Sequence, residues 1–284
     1  MSVVVFTAVT GTPGVTTATI ASGVHWDRPV LVVEADTSNV GSVMTGFFRG
    51  GLDATAGMHQ VSLALSRRAL TAEALLDPAF GIAIPVHELP QVPQMPIPTI
   101  PAGHRMWVIP GYRDLGTTDG VHDVWNRLPH LFAALHELGI DVLVDLGRLT
   151  RDDPRLVVLD AADQVVVLAS ATMTDLNRLH KRVRLPDLDT RLHGSGGDRW
   201  ALLLTNPAAE PVAIRDFGRS VMPVIATTRL DPAGAAVFAH GREDPKPSRN
   251  GYRADIRRTV LALRHRLTAT SLAPAEPLPG GVLR

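Results

Sequence analysis

Cysteine is absent from the 284-residue chain, and lysine occurs only at Lys181 and Lys246. The first absence excludes disulfides, a thiolate nucleophile, and zinc or iron–sulfur centres held by cysteine; it agrees with a reducing compartment. The second leaves arginine to carry nearly all the positive charge. Net charge is missing as well: Lys+Arg and Asp+Glu both total 28, so no overall field draws the chain to nucleic acid or anionic lipid, and any such contact is a local patch. No run approaches the ~18–20 apolar residues of a membrane span. The opening MSVVVFT goes straight into a strand pattern without a basic stretch before it. A cytoplasmic protein with no integral membrane association is expected.

What is present begins with VVVFTAVTGTPGVTTATIA, Val3 to Ala21. An apolar β-branched run, a glycine-containing loop and a Thr-Thr helix start read as strand, phosphate-binding loop and helix. Gly11 and Gly14 let backbone N–H groups turn inward around an anion, and the helix starting near Thr16 adds its positive end. The usual loop, G-x-x-x-x-G-K-[ST], places a lysine after the second glycine. Val15 stands there instead, so only the Thr16 hydroxyl remains as a candidate magnesium ligand. Read alone, the same residues describe an ordinary strand-to-helix turn with a capped helix.

Further along, Val30 to Val33 form a second buried strand ending in Glu34-Ala35-Asp36, carboxylates placed where open parallel sheets bind ligands. Leu52 to Leu76 is helical in character, with Leu63, Ser66 and Leu70 on one face. Prolines at 85, 90, 93, 96, 98 and 101 make about 80–104 a polyproline-like surface loop, with a partner-docking strap as the alternative. Strands follow at 106–110, 140–146 (closing on Asp145), 164–168, 200–204 and 222–226, with helices at about 124–138 and 174–183. This alternation predicts an α/β fold, a mostly parallel sheet flanked by helices on both faces. A basic helix over 252–267 presents an Ile256, Val260, Leu263, Leu267 stripe, with Arg253, Arg257, Arg258 and Arg264 around the rest. The tail 268–284 is expected to be disordered. Two other chemistries fail on spacing. His122, His130 and His136 are eight and six apart, not one helical turn, and no G-x-S-x-G supports a serine nucleophile.

The order of these landmarks resembles the MinD/ParA group of deviant P-loop ATPases, whose loop reads K-G-G-V-G-K-T-T. Thr10-Gly11-Thr12-Pro13-Gly14-Val15-Thr16-Thr17 stands in its place. The family's D-x-D falls on Glu34-Ala35-Asp36, its strand-ending Walker B aspartate on Asp145, and its A-A-D-x-V-V-V on Ala161 to Val167. Its adenine-contacting asparagine falls on Asn206, and its late turn on Thr228-Arg229-Leu230-Asp231-Pro232. The resemblance implies one P-loop NTPase domain of the SIMIBI-like three-layer type over residues 1–267. It implies ATP or ADP against Gly11 to Thr17, Asn206 and Asp231, and Mg²⁺ at Thr16 and Asp145. Glu34 stands either in the metal's surroundings or in loop hydrogen bonding, and Asp36 with Asp145 forms the catalytic pair.

The departures matter equally. Both family lysines are replaced, by Thr10 and Val15, and phosphoryl transfer relies on such charges, so hydrolysis is expected to be weak or absent. The implied function is a dimerising positioning or partition protein with an unknown protein partner or cargo. The basic helix is its candidate contact for non-specific DNA, or else a solvated face. The alternative is a pseudo-ATPase scaffold or polar-localisation protein of a secretion or conjugation system that binds no nucleotide. A dethiobiotin-synthetase-like ligase fits poorly without the lysines, and the lack of cysteine excludes a nitrogenase-iron-protein-like role.

Overall fold

Parallel strands covered by crossover helices on both sides read as near-continuous apolar runs. The computed structural model describes residues 2–11, 14–52, 55–67, 70–115, 122–194, 197–205 and 212–272. In chain order it forms β1 (Val3–Ala8), α1 (Val15–Val24), β2 (Val30–Glu34), a π-helical turn (Val43–Phe47), α2 (Met58–Ser66) and α3 (Ala72–Leu76). Next come β3 (Ile84–Pro85), β4 (Met106–Ile109), α4 (His122–Glu137), β5 (Asp141–Arg148), α5 (Leu156–Asp160), β6 (Gln164–Ser170) and α6 (Met173–Val183). The last part holds α7 (Pro186–His193), β7 (Trp200–Thr205), α8 (Ile214–Ser220), β8 (Val224–Thr228), α9 (Pro232–Ala239) and α10 (Gly251–Leu272).

One eight-stranded sheet results, ordered β3-β4-β2-β5-β1-β6-β7-β8. Every pair is parallel except β3 on β4. Alternation along the strands divides the interior into two layers. Val3 and Val5 join Val142 and Val144 beneath the α2–α8 side, whereas Val4 and Phe6 join Leu143 and Val166 beneath α1, α9 and α10. β1 lies between β5 and β6, so chain direction across the sheet reverses there, and the crevice beyond its C-terminal end is where such sheets bind ligands. Among the described residues no helix is long and apolar enough to cross a membrane.

Several expectations are corrected. The proline-rich segment is not a free surface loop: Ile84, Val86, Met95 and Ile97 are buried in the α1-side layer. Pro85 pairs with Trp107 at the sheet's edge, the place where a residue without an N–H is tolerated, so the segment covers the flank of β4. The continuous helix over 52–76 is two, α2 and α3, the second capped by the Thr71 hydroxyl, which accepts from the Ala74 N–H. The buried face of α2 is Met58 and Val61, while Leu63 and Ser66 are exposed, because the sheet and not propensity selects the face. The last strand lies two residues later than expected, at Val224–Thr228. α10 runs past 267 to Leu272, so 268–272 is helix and not disordered tail; residues 273–284 lie outside the described residues.

Candidate functional site

Gly14 precedes α1 with φ 105°, a left-handed conformation that glycine adopts without strain. The first α1 hydrogen bond runs from the Ala18 N–H to the Gly14 carbonyl at 2.8 Å. The amides before it, of Val15, Thr16 and Thr17, therefore have no acceptor within the helix. No acidic residue lies in this first turn and, among the described residues, no side chain caps it, so its positive end is open to an anion. Thr12 and Pro13 lie outside the described residues. Gly11 and Gly14 have open space where a Cβ would stand, leaving room at the loop's surface.

Two strand ends bring carboxylates to this loop. Asp145 of β5 sits in register with both Phe6 of β1 and Glu34 of β2. It is 1% exposed; Oδ1 accepts from the Gly147 N–H at 2.8 Å, while Oδ2 has no hydrogen-bond partner among the described residues. Burial pushes its carboxyl up to about 7, and the charges of Glu34 and Asp36 push the same way; the neighbouring Thr16 hydroxyl and the Gly147 amide oppose them. An orphaned oxygen in such a place calls for a partner. The pairing of Thr16 with Asp145 is thus the donor set, hydroxyl plus carboxylate, that suits Mg²⁺. Asp36 lies over the end of β5: Oδ1 accepts from the Ser38 N–H at 2.8 Å. A Cβ on Gly147 would run into its carboxylate, so only glycine allows that approach.

Glu34 is different. Both its oxygens are engaged by loops: Oε1 accepts from the Ser42 hydroxyl and the Val43 N–H, and Oε2 from the Gly111 N–H at 2.6 Å. Burial raises its pKa despite these bonds. The hydrogen bonds of its second reading are present: Glu34 is a latch tying the π-helical turn to the residues that follow β4. Asp231 is likewise committed. It caps α9 by accepting from Gly234 N–H at 2.9 Å, and its other oxygen accepts from Tyr252 N–H at 3.2 Å, so it shapes the cleft wall with its carboxylate already occupied. Asn206 lies outside the described residues.

Two clefts open beside the start of α1. One of ≈ 410 Å³ is lined by Thr16, Thr17, Ser42 and Thr45 above Ile20 and Phe47. The other, ≈ 500 Å³ and more apolar, runs from Gly14 and Thr17 to Leu168, Leu203, Thr205 and Pro232 at the ends of β6, β7 and β8. Each is within the range that small ligands occupy, ~300–1,000 Å³. Neither lysine lines either cleft.

No family model matches the sequence, and no curated protein sequence matches it. Solved structures do. A ParA family ATPase from Chlorobium tepidum TLS superposes with TM-score 0.68 at 15% identity, covering 92% of this chain and 98% of that one. The septum site-determining protein MinD complexed with Mg-ADP from Pyrococcus horikoshii OT3 gives 0.56 at 14%, covering 91% and 95%. An ATP complex of a single-residue variant of Cyanothece McdA gives 0.58 at 14%, covering 94% and 96%.

The chain has the ParA/MinD fold.

Within that fold the loop after β1, the end of β2 and Asp145 of β5 meet as the sequence order implied. Residues that sequence reasoning passed over hold them there. Arg155 is buried, with its guanidinium donating to the carbonyls of Ala35 (3.1 Å), Leu146 (2.7 Å) and Arg148 (3.0 Å) and to both oxygens of Asp153. It stands 3.9 Å from Asp36. It therefore clamps the ends of β2 and β5 beneath the site of the ParA/MinD-fold chain.

The expectation for the basic helix is corrected in part. Arg253 is buried and paired with Asp244 at 2.8 Å, and its guanidinium lies 3.2 Å from His25 Nε2. Arg264 lies over the Trp26 ring and pairs with Asp27 (3.0 Å) and Asp141 (3.2 Å). Both hold α10 in place and are not free for a phosphate backbone. Arg257 and Arg258 are exposed, Arg258 with Asp255 beside it. The Ile256, Val260, Leu263 and Leu267 stripe is buried on the α1-side layer.

Proposed function

We propose that this chain is a nucleotide-binding positioning or partition protein of the ParA/MinD kind, cytoplasmic and homodimeric, with residues 1–267 as its working unit. The observation that carries this reading is the buried, unpartnered Oδ2 of Asp145 next to Thr16, at the open N-terminus of α1 and beside a cleft of nucleoside size. Thr16 and Asp145 would hold Mg²⁺, and the amides of Val15, Thr16 and Thr17 the phosphates. Once bound, Mg²⁺ would neutralise phosphate charge that a loop without lysine leaves uncompensated. Asp36, fixed by Ser38 above Gly147, is the carboxylate available to orient a water.

Turnover is another matter. Thr10 and Val15 carry no charge where the resemblance implies lysine, and cations acting on the transferring phosphoryl group are worth ~10³–10⁵ in rate. Mg·ADP and a nonhydrolysable ATP analogue should therefore bind while ATP turnover stays weak or absent. Isothermal titration at protein concentrations of order 100 µM reads any Kd tighter than about millimolar. No heat from either ligand would leave the second reading, a scaffold that uses the fold for docking alone.

Non-specific DNA is proposed as a partner through Arg257 and Arg258, the two of the four basic positions that face solvent. Replacing both by alanine should weaken DNA retention and lower the salt slope by about 2, since each phosphate that an arginine neutralises contributes roughly one. Melting should fall only modestly: Arg257 is exposed, and the buried Asp255 carboxylate that loses Arg258 keeps Arg229 as its donor. An unaltered gel shift would identify the patch as a solvated face.

A further inference from the structure

The two clefts share four wall residues, Gly14, Thr17, Ala239 and His240. An anion held by the first-turn amides of α1 lies on that shared boundary, and His240 borders it. His240 ends α9, and its imidazole makes no hydrogen bond or ion pair with a described residue. Its backbone is closely held: a Cβ on Gly46 would run into the Ala239 carbonyl, and one on Gly241, which has φ +53°, into the Phe47 carbonyl. Glycine at both positions lets the π-helical turn pack directly on the end of α9. That packing sets His240 in the wall of both cavities.

Among the described residues every other ionisable group around the clefts is committed. His240 is the one titratable side chain of those lining the smaller cleft. In the larger, Arg229 donates to both oxygens of Asp255, Asp231 caps α9 and α10, and burial raises the Tyr252 phenol so that it stays neutral. The site thus has an anion-binding helix end, the buried Oδ2 of Asp145 close by, no lysine on its walls, and one solvent-exposed imidazole; neither that oxygen nor that imidazole has a partner among the described residues.

We propose that His240 binds the phosphate chain of the nucleotide, taking over part of the charge neutralisation that the loop lysines would provide. The proposal rests on the nucleotide reading above. Imidazole donates an N–H to phosphate oxygen whether neutral or protonated, and the bond is stronger in the charged form.

The test titrates ADP, adenosine and tripolyphosphate into the full chain and into His240→Ala, His240→Gln and His240→Lys. Loss of one hydrogen bond to a charged group corresponds to about a tenfold loss of affinity. His240→Ala should show that loss for ADP and tripolyphosphate with adenosine unaffected, His240→Gln should lose less, and His240→Lys should bind at least as tightly as the natural chain. Unchanged ADP binding in His240→Ala overturns the inference and leaves the nucleotide reading standing. An equal loss for adenosine also overturns it, assigning His240 to the cleft wall. His240-dependent binding of tripolyphosphate without ADP binding overturns the nucleotide reading and with it the inference as stated, leaving His240 at a polyphosphate site, whereas binding of neither overturns both.

Discussion

Asp145→Asn is expected to make the ligand-free protein more stable, by a margin that grows with pH. Burial raises the folded-state pKa of this carboxyl from 3.8 to about 7. The folded chain therefore holds the proton more tightly than the unfolded chain does. That proton's stabilising contribution is complete below about pH 4, declines as pH rises, and is lost above about 7, a swing of roughly 4 kcal/mol on the linkage relation. Asparagine has nearly the same shape and no charge to desolvate. The variant should match the natural chain near pH 4 and exceed it by a few kcal/mol at pH 8, read as the difference in urea midpoint with EDTA present. Asp153 and Asp187, both lowered by arginine partners, titrate in both proteins and drop out of the comparison. The same substitution should abolish any Mg²⁺ dependence of ADP binding. A stability difference that does not change between pH 4 and 8 would place Asp145 among ordinary, well-solvated carboxylates.

Arg155→Met should have the largest opposite effect. The substitution leaves three carbonyls without their donor and the buried Asp153 carboxylate without its counter-charge, and breaking a buried pair in this way costs about 3–5 kcal/mol. Arg155→Lys should not restore the loss, since an ammonium is a point donor and cannot span Ala35, Leu146 and Arg148 at once. Adding Asp153→Asn should recover the charge share of the loss but not the carbonyl share. Because Arg155 joins the β2 and β5 ends beside Asp36, ADP affinity should fall as well. Near-native melting of Arg155→Met would show that water replaces the clamp.

Much of the architecture was legible because it is written in local periodicity. The runs at Val3, Val30, Asp141, Gln164 and Trp200 are buried on both sheet faces, so each holds three or more apolar residues in succession and stands out. Asp36 and Asp145 were legible for a related reason: a carboxylate closing such a run in an open parallel sheet lies at the ligand edge. Arg155 was not. It follows Arg151-Asp152-Asp153-Pro154, a stretch with the composition of an exposed turn, and nothing local distinguishes a buried guanidinium there. Glu34 and Asp231 carried the right residue type at the right place, and only their donors, Ser42, Gly111, Gly234 and Tyr252, show what the oxygens hold.

The sequence by itself determined the strand order along the chain, the glycine turn before α1, the absence of lysine from that turn, and the carboxylates at the strand ends. Each is a property of neighbouring residues. Tertiary structure decided which charges are free: it committed Arg253 and Arg264 to ion pairs, left Arg257 and Arg258 in solvent, folded the proline-rich segment onto the edge of β4, and brought His240 alongside Gly14. Those outcomes depend on groups far apart in the chain competing for the same partners and the same low-dielectric space, a competition that exists only once the chain has closed on itself.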